Sequence, residues 1–168
     1  MGCLGVHFAL HPDDLRRVLA SVGDDEALLA LIHEDIEERN LETEREWQFQ
    51  TDKAWDALHR CLTNGLLEYE SGPFPISYAV LGGRQLYGGD DFIASLVDPP
   101  LVAPTASALK AVTKDWLHSR YLTIDPDEYG LNFGDDDFEY TWENFQGLPE
   151  FFERAAEVHR AVVFTADQ

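Results

Sequence analysis

The chain predicts an α+β fold: one helix-rich domain over residues 1–168, with a small sheet that includes an N-terminal and a C-terminal strand. Three observations carry this. Strand-like segments are few and alternate irregularly with amphipathic helical stretches, unlike the regular βαβ series of a parallel sheet. Hydrophobic residues fill 45% of the 168 positions, with 10 Phe, 6 Tyr and 4 Trp, which is ample for a core without metal or disulfides. No internal repeat and no long linker divides the chain.

Cys3 to Leu10 reads as a strand, with Leu4, Val6 and Phe8 on one side. His11-Pro12-Asp13-Asp14 then opens a helix, because proline and acids suit a first turn. Leu15, Val18, Leu19 and Val22 form its apolar stripe, and Gly23 ends it. A second helix is expected from Asp24 to about Arg39, with Leu28, Leu29, Ile32 and Ile36 at helical spacing. Residues 40–50 read as a loop with a short extended piece. Thr51 suits the N-cap of a third helix from Asp52 to Thr63, stopped by Asn64-Gly65. After a Gly- and Pro-containing loop, Phe92 to Val97 reads as a strand closed by Asp98-Pro99-Pro100. A fourth helix is expected from Ala103 to Leu117, with Leu109, Val112 and Trp116 facing in. Two more helices, near Phe138 to Phe145 and Leu148 to His159, precede a closing strand from Ala161 to Thr165. The two terminal strands could pair with each other.

The chain carries 32 acidic residues against 12 basic ones, a formal charge of −20. Only three of the basic residues are lysines: Lys53, Lys110 and Lys114. Nucleic-acid affinity draws on Lys and Arg neutralising phosphates, and no basic run exists here, so no nucleic acid is expected as a partner. Anionic membrane surfaces repel such a chain as well, and no apolar run approaches the length of a membrane span. A basic protein or a cation remains, although like charge also serves solubility alone. Cys3 and Cys61 form no disulfide framework and no zinc spacing, and no signal peptide is evident, so cytoplasm is the expected compartment.

The third helix is the best place to look for chemistry. Asp52, Asp56, His59 and Thr63 form a polar stripe beside the apolar face of Ala54, Trp55, Leu58, Cys61 and Leu62. An imidazole beside a carboxylate can act as a general base. The simpler reading is that His59 tethers the helix to a backbone carbonyl. The segment Leu81 to Gly89 holds paired glycines that let backbone approach a ligand, and Arg84 could hold an anion. Turns explain the same glycines. The candidate pocket is therefore Trp55, Asp56, His59, Thr63, Gly82, Gly83 and Arg84. His33 and Glu37 sit four apart, as metal ligands can, but no third ligand is indicated. Asp125, Asp127 and Gly130 imitate the first half of a calcium loop, while Tyr129, Asp136 and Pro126 break the pattern. No metal and no cofactor is expected, and Cys61 reads as a small buried thiol.

Met1-Gly2 with Leu4-Gly5, then Trp55-Asp56-Ala57-Leu58-His59 with Leu62-Thr63, then Ala79-Val80-Leu81-Gly82-Gly83, resemble the YfbM-like family of small bacterial proteins over the whole chain. The resemblance implies a single cytoplasmic α+β domain. It implies no activity, because that family is one of unknown function, and it supplies no catalytic residues. The leading expectation is a protein-interaction module, for example one that neutralises a basic partner as immunity proteins do. The alternative is a small-molecule binding protein or enzyme with a pocket near Trp55, His59 and Arg84.

Overall fold

A computed structural model describes residues 3–130 and 132–168. Its centre is an antiparallel sheet in the order β2-β1-β5-β4-β3, where β1 is Gly5–Leu10, β2 Gln48–Asp52, β3 Arg84–Gln85, β4 Phe92–Val97 and β5 Ala161–Asp167. The two terminal strands do pair: Val6 opposes Thr165 and Leu10 opposes Ala161. On its other side β5 pairs with β4, Phe92 opposing Asp167 and Val97 opposing Val162.

Side chains alternate between the two faces of a strand, and here both faces are covered. On one face Phe8, Leu10, Ala94, Leu96 and Val163 pack against α1 (Pro12–Ser21) and α2 (Asp25–Leu31) through Val18 and Leu28. On the other, Ala9, Ile93, Val162 and Phe164 meet a larger helical layer. That layer includes α4 (Trp55–Leu62), α5 (Pro99–Lys110), α6 (Lys114–Tyr121), α8 (Asp135–Phe145) and α9 (Leu148–Glu157). Burial on both faces explains why β4, apart from Ser95, reads as an apolar run instead of an alternating one.

The second expected helix is longer and less regular than its sequence suggests. It continues as a π-helical turn over Ile32–Glu37 and then as α3 (Glu38–Glu42). Leu28, Ile32, Ile36 and Asn40 are all buried and all four apart. In a plain α-helix each such step drifts by roughly 40° around the axis. The wider π turn takes up that drift and keeps the stripe on the sheet.

Three local expectations are corrected. Thr51 is not a helix cap: it lies buried on β2 and its hydroxyl donates to Gly5 O at 3.3 Å. The chain then turns through Asp52, at φ +49°, and α4 begins at Trp55. The helix expected from Ala103 to Leu117 is two helices, because Thr113 caps α6 by accepting from Trp116 N at 3.1 Å. Trp116 consequently faces outward, 39% exposed. Asp98-Pro99-Pro100 does more than close β4, since the two prolines form the first turn of α5.

No helix among the described residues is long and apolar enough to cross a membrane.

Candidate functional site

His59 sits on α4 and is almost wholly buried. Its Nε2 lies 2.8 Å from Glu68 O, and its Nδ1 lies 3.4 Å from the backbone N of Leu81. A carbonyl only accepts and an amide only donates, so Nε2 carries the proton and Nδ1 offers its lone pair. Burial pushes the imidazole pKa down to about 4, opposed by the Glu68 carbonyl and assisted by the nearby Arg60 charge. The ring is neutral and fixed in one tautomer. Ser71 Oγ stands 3.5 Å from Nε2, but that nitrogen has no lone pair to take a serine proton. The pair is not a nucleophile and its base.

The remaining residues of the expected pocket point to different places. Trp55 Nε1 donates to Cys3 O at 3.1 Å, and its ring packs against Phe164. Asp56 accepts from Arg60 Nε at 2.6 Å, with its pKa raised by burial and partly restored by Arg60. Thr63 returns its hydroxyl to His59 O at 2.6 Å and lines a cleft with Asn64, Trp116 and Arg120. Gly82 and Gly83 line a separate cleft of about 240 Å³ with Ser71, Ser77 and Tyr78, where the charged neighbour is Glu70. Arg84 is on the exposed edge strand β3, paired with Asp98 at 3.2 Å. Trp55, His59 and Arg84 therefore do not converge on one opening. The glycines serve packing: a Cβ on Gly83, at φ +81°, would stand 2.2 Å from Leu96 O.

The acidic first turn of α8 serves as an anchor. Asp137 Oδ2 accepts from Tyr121 OH at 2.6 Å and from Tyr129 OH at 2.9 Å. Burial and Asp137 push both phenols up, so they remain donors. The Arg60 guanidinium lies 5.8 Å from the Tyr129 ring centre, which continues the cluster to Asp56. In the calcium-like segment, Asp125 caps the short helix α7 (Pro126–Tyr129) by accepting from Asp127 N at 2.9 Å. His33 Nδ1 bonds Glu37 Oε2 at 2.9 Å. Among the described residues no group of three or more His, Cys, Asp or Glu side chains is placed to hold a metal ion. Burial pushes the Cys61 thiol up to about 12, which leaves it unreactive at neutral pH.

Two features escape sequence reasoning. His7, on β1, is buried among Phe151, Phe152 and Phe164, donates from Nε2 to Ala79 O at 2.7 Å, and is pushed down to about 4 by burial. The second is a groove of about 170 Å³ at the end of the sheet that the first helical layer leaves open. Its floor is Val6, Phe8, Phe92 and Thr165, and Glu37 and Asp167 bring carboxylates to it. It cannot be found without the strand register, which places Thr165 between Val6 and Ala94. A threonine in the otherwise apolar Ala161–Ala166 run is the one signal the sequence holds.

The family model for a domain of unknown function, DUF1877, matches residues 1–165. The chain belongs to the DUF1877 family. The YfbM protein of Escherichia coli, also of unknown function, shares the fold of this DUF1877 member at 19% sequence identity, with a TM-score of 0.66. The match covers 97% of this chain and 99% of that one. Comparison with curated proteins gives no match. The Trp55-x-x-Leu58-His59-x-x-Leu62-Thr63 string that carries the resemblance is here a set of packing and tethering residues on α4.

Proposed function

We propose that this DUF1877 member is an interaction module that binds a basic protein through its carboxylate-rich surface, with neutralisation of a basic partner as the form that fits best. One observation carries the reading: the chain's arginines and two of its three lysines are already engaged. Three of the 12 basic residues are lysines, leaving nine arginines, and each arginine touches a carboxylate or a backbone carbonyl. Lys110 pairs with Glu153 and Lys114 with Glu139. Arg160 donates to Ala9 O at 3.1 Å and lies 4.0 Å from the Trp47 ring centre. With these cations engaged by the chain's own carboxylates and carbonyls, 32 acidic residues still outnumber 12 basic ones. Around α7 and α8, Asp125, Asp127, Glu128, Asp135 and Asp136 are exposed. Such a field speeds encounter with a cationic surface and rejects anionic ones. The enzyme reading loses support because His59, its base, is a protonated-Nε2 tether.

Capture from host lysate on the immobilised chain tests the proposal. A basic protein retained at low salt and released by about 0.5 M salt is the expected result. Recovery of no protein at low salt, or capture indifferent to salt, counts against it.

A further inference from the structure

We propose that the basic partner docks at the cleft between the end of α4 and α6, and that the cleft takes an uncharged apolar side chain which the partner carries between lysines or arginines. This docking point rests on the interaction reading above and adds an anchor to its acidic surface. Trp116 is the starting point. Leu117 and Tyr121 bury the inner face of α6, while Trp116 stands 39% exposed beside a cleft of about 530 Å³. An indole so exposed adds little to the core, and tryptophan is among the side chains that carry most binding energy at protein interfaces.

The cleft suits an apolar group. Leu62, Pro73, Ile76 and Trp116 form its walls. Among the described residues no Asp or Glu lines it, although 32 of the 168 positions are acidic. Its volume lies within the roughly 300–1,000 Å³ of clefts that hold a ligand. Arg120 is the one charged residue among the described lining, and it is tied down. Its Nε donates to Cys61 O at 3.2 Å, and its Nη2 donates to Thr63 O. The guanidinium lies 6.0 Å from the Trp116 ring centre, so a held group stands against the indole before anything binds. Such preorganisation lowers the ordering cost of an encounter.

Carboxylates begin at the border. Arg60 Nη1 donates to Gly65 O at 3.3 Å and lies 4.0 Å from Glu128 Oε2. Gly65 follows Asn64 of the cleft lining, so the acidic surface around α7 reaches the cleft on that side. Asp125, Asp127 and Glu128 are all exposed there. An apolar centre with a polar rim is the layout of a protein interface. The sign of the rim selects the occupant. A second copy of this chain would bring its own acids against these, and an anionic partner is repelled. A cationic side chain entering the cleft itself would meet Arg120. An uncharged side chain flanked by cations answers both zones, its apolar group against Trp116 and its charges toward Glu128.

The test is an NMR titration of the full chain at about 0.05 M salt, where charge attraction extends beyond about 10 Å. The probes are three capped pentapeptides: Lys-Lys-Phe-Lys-Lys, Lys-Lys-Ala-Lys-Lys and Glu-Glu-Phe-Glu-Glu. The expected result with the first is saturable shifts at the Trp116 indole N–H and at the amides of Asn64 and Ile76, at least about tenfold tighter than with the second. The acidic peptide should not saturate. Trp116→Ala should erase the preference for phenylalanine and leave the affinity for the alanine peptide unchanged. Equal affinity for the two basic peptides, with shifts around α7 and α8 alone, would overturn the docking point and leave the acidic surface standing. No shift with either basic peptide would remove the surface and the docking point together. Saturation by the acidic peptide, or a preference that survives Trp116→Ala, would also overturn the docking point. The peptide series on the unaltered chain decides it even if the variant does not fold.

Discussion

The imidazole Nε2 of His59 donates to the carbonyl oxygen of Glu68 at 2.8 Å. This one contact fixes the tautomer, anchors the 68–71 segment to α4, and leaves Nδ1 to receive the Leu81 amide. The histidine that the sequence offers as a base or, more simply, as a tether is thereby a three-way clamp between a helix and two loops.

Replacement of that clamp should register as lost stability. His59→Ala leaves a cavity, a carbonyl without its donor and an amide without its acceptor, a loss of about 2–4 kcal/mol. Urea unfolding checks this. A change within about 0.5 kcal/mol would show that the clamp contributes nothing.

Acid should weaken the fold before it titrates most carboxylates. His7 and His59 have native pKa values of about 4 against an ordinary 6.5. Below pH 6.5 the unfolded chain takes up protons that the native chain refuses, so stability falls as pH drops and the loss levels off below about pH 4. At pH 5.5 each site accounts for about 1 kcal/mol, about 2–3 kcal/mol together. Asp56, whose native pKa is raised, acts in the opposite sense, in the lower window where carboxylates titrate. Urea midpoints at pH 7.5 and 5.5 make the comparison, and equal stability at both would contradict the burial argument.

The Asp137 cluster should behave as a unit. Asp137→Ala strands two phenols and is expected to destabilise by about 2–4 kcal/mol. Tyr129→Phe removes one donor and leaves Tyr121 bonded, a loss of about 1 kcal/mol. If Tyr129→Phe proves as damaging as Asp137→Ala, the shared-acceptor account fails.

Two glycines with similar φ should separate sharply. A Cβ on Gly83 would strike Leu96 O, whereas one on Gly23, at φ +92°, meets nothing within 4 Å. Gly83→Ala should lose about 2–4 kcal/mol and Gly23→Ala about 1 kcal/mol. Melting temperatures of the two variants give the comparison, and equal losses would remove the close-approach explanation.

The mix of elements was legible where patterns are local. Phe92 to Val97 ends where a proline pair must begin something else, and the Ala161 strand starts where β-branched residues cluster. Thr113 divides the stretch from Ala103 to Leu117 because its side chain caps α6, a role that an apolar period running through it hides. Thr51 has the side chain of a good cap but sits in a strand, and only pairing with β1 decides between the two. The site was less legible than the fold. Trp55 and His59 are neighbours on α4, but their partners, Cys3, Glu68 and Leu81, come from three other segments. Thr165, Glu37 and Asp167 share a groove only through strand register and the π turn.

The surface stays negative because 32 acidic residues outnumber 12 basic ones and the arginines are already engaged with the chain's own carboxylates and carbonyls. The direct measurement is the association rate of the basic protein captured from lysate, followed from about 0.05 to 0.5 M salt. The account expects that rate to fall at least about tenfold across the range. A rate that stays flat, or a captured partner that is not basic, would contradict it.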